Sequence, residues 1–339
     1  MTSVPPATGP SIAVIIPTRD RRVMLRELLL SLAAQRYPRD RYEVIVVDNR
    51  SSDGTDGMVE EVARTTGLRV RRVLGEDRGP APARNLGATL ADAEILAFTD
   101  SDCVASSTWL EAGAKAFEDR AVGLVCGPIL VPGNLEDPFL DLPVRTRFLL
   151  IDAENPFYPT ANVLYRRAVF FDAGGFPAPD RHELMGQLQG GDDVELAWAV
   201  KRAGWKSSFA PGVVVHHAVH ALTWPQWFRY TLLFSTLPLT LKRVPEIRKM
   251  LPLRMLLPYH GAHLFKVGLV GLALTILSPV ALLLWGPFLL YWLRLCRRDL
   301  GRPRRWPALA LLVAAWSANH LFLTAILVRS SARHRSLVL

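Results

Sequence analysis

Short apolar runs alternate with amphipathic segments over the N-terminal two thirds of the chain. The apolar runs are typical of buried strands, and the segments between them repeat their apolar residues every three or four positions, as helices do. Pro17 is expected to end the first strand. The pattern predicts strands at 12–16, 42–47, 68–73 and 95–100, and helices at 24–35 and around Val59 and Val62. Strands that alternate with helices predict an α/β fold built from βαβ units.

The pattern is less regular between residues 128 and 217. Residues 128–159 are rich in Pro and Phe without a clear period and predict a loop over the site. A strand is expected at 162–167. Residues 190–195 are expected to open a helix that runs to about Arg202 and that Gly204 closes. A single short strand should follow at 205–215.

Beyond Trp224 the chain becomes more apolar and more aromatic. Residues 221–264 mix aromatic with basic side chains and predict amphipathic elements at a bilayer surface. Residues 267–293 contain no charged residue and are long enough to cross a bilayer, and 306–328 is a second candidate span. The first span is open to two interpretations, a full crossing or a re-entrant hairpin, because the arginine-rich connector after it favours the cytoplasm.

Charge and cysteine content indicate which binding partners and which cellular compartment to expect. The chain has 339 residues and a formal net charge of +9. Many of its Lys and Arg residues flank the apolar C-terminal stretches, so we expect membrane lipid rather than nucleic acid as the partner. Its three cysteines lack zinc-like spacing, and residues 1–10, expected to be flexible, carry no secretory signal. The expected location is the inner membrane, with the domain at 11–220 in the cytoplasm.

Two aspartates, Asp100 and Asp102, stand one residue apart at the end of an apolar run. In a strand, residues i and i+2 point to the same side, so both carboxylates are expected to converge on one divalent cation. A turn or a helix cap is the alternative, because Asp favours both.

Two further acidic sites lie on either side of Asp100 and Asp102 along the chain. Asp48 and Asn49 come directly after the second predicted strand, and Asp192 and Asp193 open a predicted helix. Ligands of open α/β sheets bind beyond the carboxyl ends of the strands, where Thr18, Asp48 and Asp100 are expected.

As an ordered set, these motifs resemble those of family 2 of the GT-A glycosyltransferases, the inverting enzymes that use nucleotide-activated sugars. The segments that carry the resemblance are 14–21, 46–55, 83–87, 99–102 and 191–196. The resemblance covers roughly Ser11 to His217 and implies a Rossmann-like mixed sheet flanked by helices. A C-terminal helical membrane region is found in many bacterial members.

The resemblance assigns a nucleotide-sugar site to the loops after the strands. Asp48 would accept a hydrogen bond from the base, since a carboxylate is acceptor-only and uracil or thymine offers an N–H donor. Its alternative is a turn-forming Asp before Ser51. The residues implied in donor binding are Thr18, Arg19, Asp48, Asn49, Arg84, Asn85, Asp100 and Ser101.

The resemblance also implies Mg²⁺ or Mn²⁺ bridging the diphosphate. Asp100 and Asp102 are the expected acidic ligands, and His216 is the choice for the third. Neighbours on a strand face opposite ways, so at most one of His216 and His217 should reach the metal, and a surface or packing histidine is the alternative. His220 is expected to face the membrane interface.

By the same resemblance, Asp193 is the general base that takes the proton of the acceptor hydroxyl, with Asp192 supporting the acceptor. The alternative is a helix cap, because Asp at a helix N-terminus interacts favourably with the dipole. A cap accounts for one of the two acids.

The sequence thus predicts a metal-dependent inverting glycosyltransferase that moves a sugar from a UDP- or dTDP-sugar to a hydroxyl acceptor. The acceptor is expected to be lipid-linked or an envelope glycan. The alternatives are a nucleotidyltransferase and a non-catalytic membrane scaffold. The expected organisation is a flexible N-terminus at 1–10, a catalytic domain at 11–220, an interfacial segment at 221–264, and membrane helices with a basic tail at 265–339.

Overall fold

The computed structural model describes residues 9–76, 78–133, 146–177, 191–251, 278–286, 290 and 306–338. The chain divides into two compact units, Met1–Leu222 and Thr223–Leu339. Several predictions fall wholly or partly outside the described residues. They are most of the flexible N-terminus at 1–10, the part of the loop at 134–145, the end of the interfacial segment at 252–264, most of the apolar stretch at 267–293, and the arginine-rich connector at 294–305.

The first unit alternates strands and helices as the sequence predicts. Its strands are β1 (Ile12–Thr18), β2 (Tyr42–Asp48), β3 (Val70–Leu74), β4 (Ile95–Phe98), β5 (Cys103–Ala105), β6 (Val122–Cys126), β7 (Ile129–Leu130), β8 (Thr146–Arg147), β9 (Val163–Arg166), β10 (Lys206–Phe209), β11 (Val215–His217) and β12 (His220–Ala221). Its α-helices are α1 (Arg22–Ala33), α2 (Thr55–Thr66), α3 (Pro80–Leu90), α4 (Trp109–Ala116), α5 (Arg167–Asp172) and α6 (Asp192–Arg202). Short 3₁₀ turns lie at Arg39–Arg41 and Thr160–Asn162.

Seven strands form the main sheet, in the order β10-β6-β9-β4-β1-β2-β3. Strands β1 to β4 are parallel, whereas β9 runs antiparallel to both β4 and β6. Every residue of β1 and β4 is buried, as expected for central strands with both faces covered. The predicted mixed α/β sheet of the GT-A type is confirmed, and the carboxyl ends of β1, β2 and β4 meet at one edge.

Several predicted strand boundaries differ from the observed ones. For example, β3 begins at Val70 rather than at 68, and β4 ends at Phe98 rather than at 100. Two other differences have a local reason. Pro17 lies inside β1, because β1 pairs with β4 up to Ile15 and the proline follows where β4 has already ended. A proline there leaves no ladder hydrogen bond unmade. The single strand predicted at 205–215 is two strands, since Val213 N donates to Ala210 O (2.9 Å) in a turn between β10 and β11.

A second, smaller sheet has the strand order β5-β11-β7. Strand β11 runs antiparallel to β5 and places His217 opposite Cys103. One buried side chain, Asn162, holds the small sheet to the rest of the unit. Its Nδ2 donates to the carbonyls of Pro128 (2.9 Å) and Val213 (2.7 Å), and its Oδ1 accepts from Trp109 Nε1 (2.9 Å). Because the buried amide is fully bonded, its burial is not penalised.

The second unit is helical where it is described. It contains α7 (Trp224–Thr231), a 3₁₀ turn (Leu232–Thr236), α8 (Leu237–Arg243), α9 (Pro245–Arg248), a 3₁₀ helix (Pro279–Trp285) and α10 (Trp306–His334). In the described parts of the chain, no helix is both long enough and apolar enough to span a bilayer. The predicted membrane helices therefore have no support from the described residues, and the candidate span at 306–328 lies within α10.

Candidate functional site

The nucleotide end of the predicted site begins where β1 and β2 finish side by side. Thr18 pairs in register with Asp48, and Asn49 N donates to Thr18 O (2.9 Å). All three side chains are buried. Neither Thr18 Oγ1 nor Asn49 Oδ1 has a hydrogen-bond partner among the described residues. Buried polar atoms without partners are uncommon in folded proteins and indicate a place where a ligand or water completes the bonding.

Asp48 makes both a turn contact and an ion pair. Its Oδ1 accepts a hydrogen bond from Ser51 N (2.8 Å), and its Oδ2 lies 2.6 Å from Arg72 Nη1. The turn-forming alternative is therefore present in the structure. Arg72 was not predicted as a site residue. The available signal was a basic residue inside β3, the strand that pairs with β2.

Arg84, on α3, is a buried cation between two carboxylates. Its Nη2 donates to Asp100 Oδ1 (2.7 Å), and its Nη1 lies 3.8 Å from Asp192 Oδ2. The Asp192 oxygen has no hydrogen-bond partner among the described residues. A guanidinium remains charged when buried, so Arg84 joins two of the predicted acidic positions into one network.

Asn85 has a structural contact that differs from its predicted role in donor binding. Its Nδ2 donates to Phe176 O (2.8 Å), and its Oδ1 accepts from Phe176 N (3.0 Å). The phenyl ring of Phe176 packs on Phe98 and Phe170. Both ends of the Asn85 amide are thus used to fix the turn before Phe176. Arg19, by contrast, lies in an exposed loop after β1.

Asp100 and Asp102 diverge, which corrects the prediction that they share one cation. Strand β4 ends at Phe98, and Cys103 N donates to Asp100 O (3.0 Å) in a turn. Ser101, within this turn, is buried. Strand alternation does not apply in a turn, so Asp100 faces Arg84 whereas Asp102 faces two histidines.

Asp102, His217 and His220 form a group whose ligand atoms all lie within 4.8 Å of one another. His220 Nε2 is 2.8 Å from Asp102 Oδ2, and His217 Nε2 is 3.6 Å from Asp102 Oδ1. Asp102 is 2 % exposed, and its Oδ1 has no hydrogen-bond partner among the described residues. Two imidazoles and a carboxylate with a buried, unpaired oxygen fit a divalent transition-metal ion.

The choice of His216 as third ligand is corrected by this geometry. His216 pairs in register with Val104, while its neighbour His217 lies on the Asp102 side of β11. His217 Nδ1 lies 2.9 Å from Ala218 O, so Nδ1 donates and Nε2 is left as the ligand atom. His220, expected at the membrane interface, is a further site residue that the sequence analysis missed. Its signal was a histidine three positions after His217.

The charges around Asp102 hold it as an anion. Burial alone would raise the pKa of Asp102, but the hydrogen bond from His220 and the charges of His217 and Arg21 outweigh it and lower the pKa below its ordinary value. Arg21 Nη1 forms a close ion pair with Asp102 Oδ2.

Asp193 has the opposite electrostatic setting at the N-terminus of α6. Burial, and then the negative charge of Asp192, raise the pKa of Asp193 well above that of an ordinary aspartate. Arg84 and the hydrogen bond from Val194 N (2.9 Å) lower it by less. A carboxyl group with a raised pKa is a better proton acceptor once it is ionised.

The geometry can be compared with known proteins. Residues 13–173 match the family model described as glycosyl transferase family 2. The glycosyltransferase AglE of Haloferax volcanii is 31% identical over 222 residues, which cover 62% of this chain and 68% of AglE. The chain belongs to glycosyltransferase family 2. As a member of this family it is a transferase enzyme, and its relatives support sugar transfer.

Other relatives agree with this family 2 assignment. The pre-mycofactocin glycosyltransferase of Mycobacterium tuberculosis is 31% identical over 227 residues, covering 62% of this chain and 44% of that protein. Among solved structures, the mannosyltransferase PcManGT of Pyrobaculum calidifontis, in complex with GDP-Man and Mn²⁺, superposes with a TM-score of 0.56. It is 22% identical, over 95% of this chain and 87% of its own, and shows the shared fold.

Proposed function

We propose that this family 2 enzyme transfers a sugar from a nucleotide-diphosphate donor to a hydroxyl acceptor, with inversion at the anomeric carbon. The observation that carries the proposal is the arrangement at one edge of the sheet. Asp102 in the turn after β4 belongs to an Asp–His–His group, and Asp100 in the same turn is linked through Arg84 to Asp192, the neighbour of Asp193, whose pKa is raised. The Asp–His–His group suits a metal ion that binds the donor diphosphate, and Asp193 with its neighbour Asp192 suits an acceptor hydroxyl.

The donor nucleotide is proposed to bind across the ends of β1 and β2. Asp48 uses one lone pair on each oxygen, so it can still accept a hydrogen bond from the N–H of uracil or thymine. The unpaired Thr18 Oγ1 and Asn49 Oδ1 supply further polar contacts, and Arg19 and Arg84 add positive charge near the phosphates. These groups support UDP- or dTDP-sugars as donors.

The metal is proposed to be held by Asp102, His217 and His220. When bound, it supplies a Lewis acid that neutralises the diphosphate leaving group. Mg²⁺ prefers an octahedron of oxygen ligands, whereas imidazole suits transition metals. This ligand set therefore favours Mn²⁺ over Mg²⁺. PcManGT, which shares the fold, was solved with Mn²⁺.

Replacing the newly identified histidine tests this ligand set. His220→Ala should weaken Mn²⁺ binding in the presence of UDP by about tenfold or more, because an imidazole contact is lost. His216→Ala is the matched control and should leave the affinity within about twofold. Isothermal titration with Mn²⁺ measures both. The opposite order of effects would restore His216 as the ligand.

The proton transfer is assigned to Asp193. Its ionised carboxylate takes the proton of the acceptor hydroxyl as the oxygen attacks the anomeric carbon. The bond to the nucleoside diphosphate breaks with its electron pair, and the configuration inverts. Asp192, paired with Arg84, orients the acceptor beside it.

The acceptor is proposed to be lipid-linked or an envelope glycan at the cytoplasmic face of the inner membrane. Support comes from the apolar C-terminal third of the sequence and from α7, where Trp224, Trp227 and Phe228 form consecutive ring contacts of 5.7 and 5.6 Å. Aromatic residues mixed with basic ones are typical of helices at a bilayer surface. The proposed organisation remains a catalytic domain at 11–220, an interfacial segment at 221–264 and a membrane-associated region at 265–339.

The products distinguish this function from its alternatives. The protein should release UDP or dTDP from a matching nucleotide sugar in the presence of Mn²⁺, and the release should increase with an added polyprenyl-linked glycan. Release of pyrophosphate instead would indicate a nucleotidyltransferase. A panel of nucleotide sugars that gives no thermal stabilisation with Mn²⁺ would favour the scaffold, since any bound ligand stabilises the fold.

A further inference from the structure

Arg21 occupies an unusual position for a cation, because it touches the candidate metal site. It is the last residue before α1, three positions after Thr18 at the nucleotide end of the site. Its guanidinium pairs with Asp102 Oδ2, the oxygen that also accepts the contact from His220. The buried carboxylate is therefore already neutralised by an arginine.

A guanidinium and a divalent ion compete for this carboxylate. Arginine is charged at every physiological pH, so it cannot yield the site by losing a proton. Two cations in contact with one oxygen repel each other strongly where the dielectric constant is low. A metal ion that binds between His220 and Asp102 Oδ2 must therefore displace the Arg21 side chain from that oxygen.

Arg21 is free to move in a way that Arg84 is not. The side chain of Arg21 is 35% exposed, whereas that of Arg84 is 6% exposed and lies between Asp100 and Asp192. Once displaced, a guanidinium needs another anion, and a diphosphate offers one with matching bidentate geometry. The nucleotide is proposed to bring its diphosphate to the same edge of the sheet.

We propose that Arg21 couples metal binding to nucleotide binding. Without nucleotide, its ion pair with Asp102 weakens the binding of a divalent ion. With nucleotide, the released guanidinium pairs with the diphosphate, and metal and nucleotide bind cooperatively. This inference rests on the proposed function, since it uses both the metal site and the diphosphate donor.

The test measures Mn²⁺ affinity by electron paramagnetic resonance, alone and with saturating UDP, with GDP run in parallel. Arg21→Gln should bind Mn²⁺ alone about tenfold more tightly than the wild type. Nucleotide should raise the wild-type affinity for Mn²⁺ by about tenfold or more, within the usual range of coupling. In Arg21→Gln the increase should be clearly smaller, because only the direct contact between the metal and the diphosphate remains to couple the two ligands. By reciprocity, the effect of Mn²⁺ on nucleotide affinity must change by the same factor.

The neighbouring Arg22 provides the matched control. It is exposed, and its main-chain N–H donates to Asp53 Oδ2 (2.8 Å), a contact that a side-chain substitution keeps. Arg22→Gln should show the wild-type affinities. Arg21→Lys keeps the positive charge but lacks the planar guanidinium that can bind an anion through two N–H groups. It should still bind Mn²⁺ alone weakly but lose most of the coupling. This second variant tests the inference if Arg21→Gln does not fold.

The outcomes separate this inference from the proposed function. Cooperative binding of Mn²⁺ and nucleotide that is the same in the wild type and in both Arg21 variants would overturn the role of Arg21 and leave the function intact. No Mn²⁺ binding with either nucleotide would overturn both. If Arg22→Gln also binds Mn²⁺ more tightly, the tighter binding of Arg21→Gln reflects the lower net charge, and the specific coupling through Arg21 is overturned.

Discussion

Asp193→Asn is expected to lower kcat by about 1000-fold, because it removes the group that accepts the proton of the acceptor hydroxyl. The affinity for the nucleotide should stay within about twofold, since the donor contacts lie at the ends of β1, β2 and β4. Asp56 in the first turn of α2 is the control for a helix-capping role. Asp56→Asn should retain wild-type kcat. Full transfer activity in Asp193→Asn would reject the assignment of the base.

The raised pKa of Asp193 adds a pH dependence to this prediction. The base must be ionised, so kcat should rise with pH above the range where an ordinary aspartate, with a pKa near 4, is already ionised. Asp192, Asp100 and Arg84 are the charged groups that act on it.

The free energy of unfolding has the opposite pH dependence to kcat. Because the folded state binds the proton more tightly, this residue makes the protein less stable as pH rises from the ordinary pKa to the raised one. Asp193→Asn should remove that decrease, which urea unfolding at several pH values will measure.

Arg84→Met should destabilise the first unit by about 3 kcal/mol, because it leaves the carboxylates of Asp100 and Asp192 without their buried counter-ion. Arg78→Met is the control. Arg78 pairs with Glu76 at 3.0 Å, but both side chains are more than half exposed, so the loss should be below about 1 kcal/mol. Urea unfolding measures both variants.

The double variant Arg84→Met with Asp100→Asn separates lost charge pairing from lost packing. If the penalty comes from unpaired carboxylates, removing the charge of Asp100 should recover part of the stability. No recovery, or equal losses for Arg84→Met and Arg78→Met, would contradict the role of Arg84 as a buried counter-ion. Transfer activity should fall in Arg84→Met as well, since Arg84 orients Asp192.

The order of the elements was predictable because it depends on local periodicity. The apolar runs at β1, β2 and β4 are buried on both faces and so appear as continuous hydrophobic stretches. The helix at Asp192–Arg202 was predicted together with its end, because acidic residues at its start and Gly204 after its end are local signals. The predicted end of the first strand at Ile16 was wrong, because whether Pro17 ends the strand depends on how far the neighbouring strand β4 continues.

The sequence predicted which acidic residues belong to the candidate site, but not which cation each of them contacts. Asp48 and Asp100 were assigned to the site because they come at the ends of predicted strands, and Asp192 was assigned through the family resemblance. Which cation each carboxylate contacts was not readable, because Arg72, Arg84 and Arg21 come from distant positions in the chain.

By itself, the sequence determined the α/β class, the family motifs and the acidic positions at one edge of the sheet, since each follows from short-range periodicity or from spacing. Only the tertiary structure decided that Asp100 and Asp102 diverge, that His217 and His220 rather than His216 approach Asp102, and that Arg21 holds its carboxylate. The physical reason is that a turn after β4 ends strand alternation, and the pairing of β11 with β5 then sets which histidine faces inward. The turn is local, but the strand pairing depends on contacts between residues more than a hundred positions apart, as does the contact of Asp102 with His220.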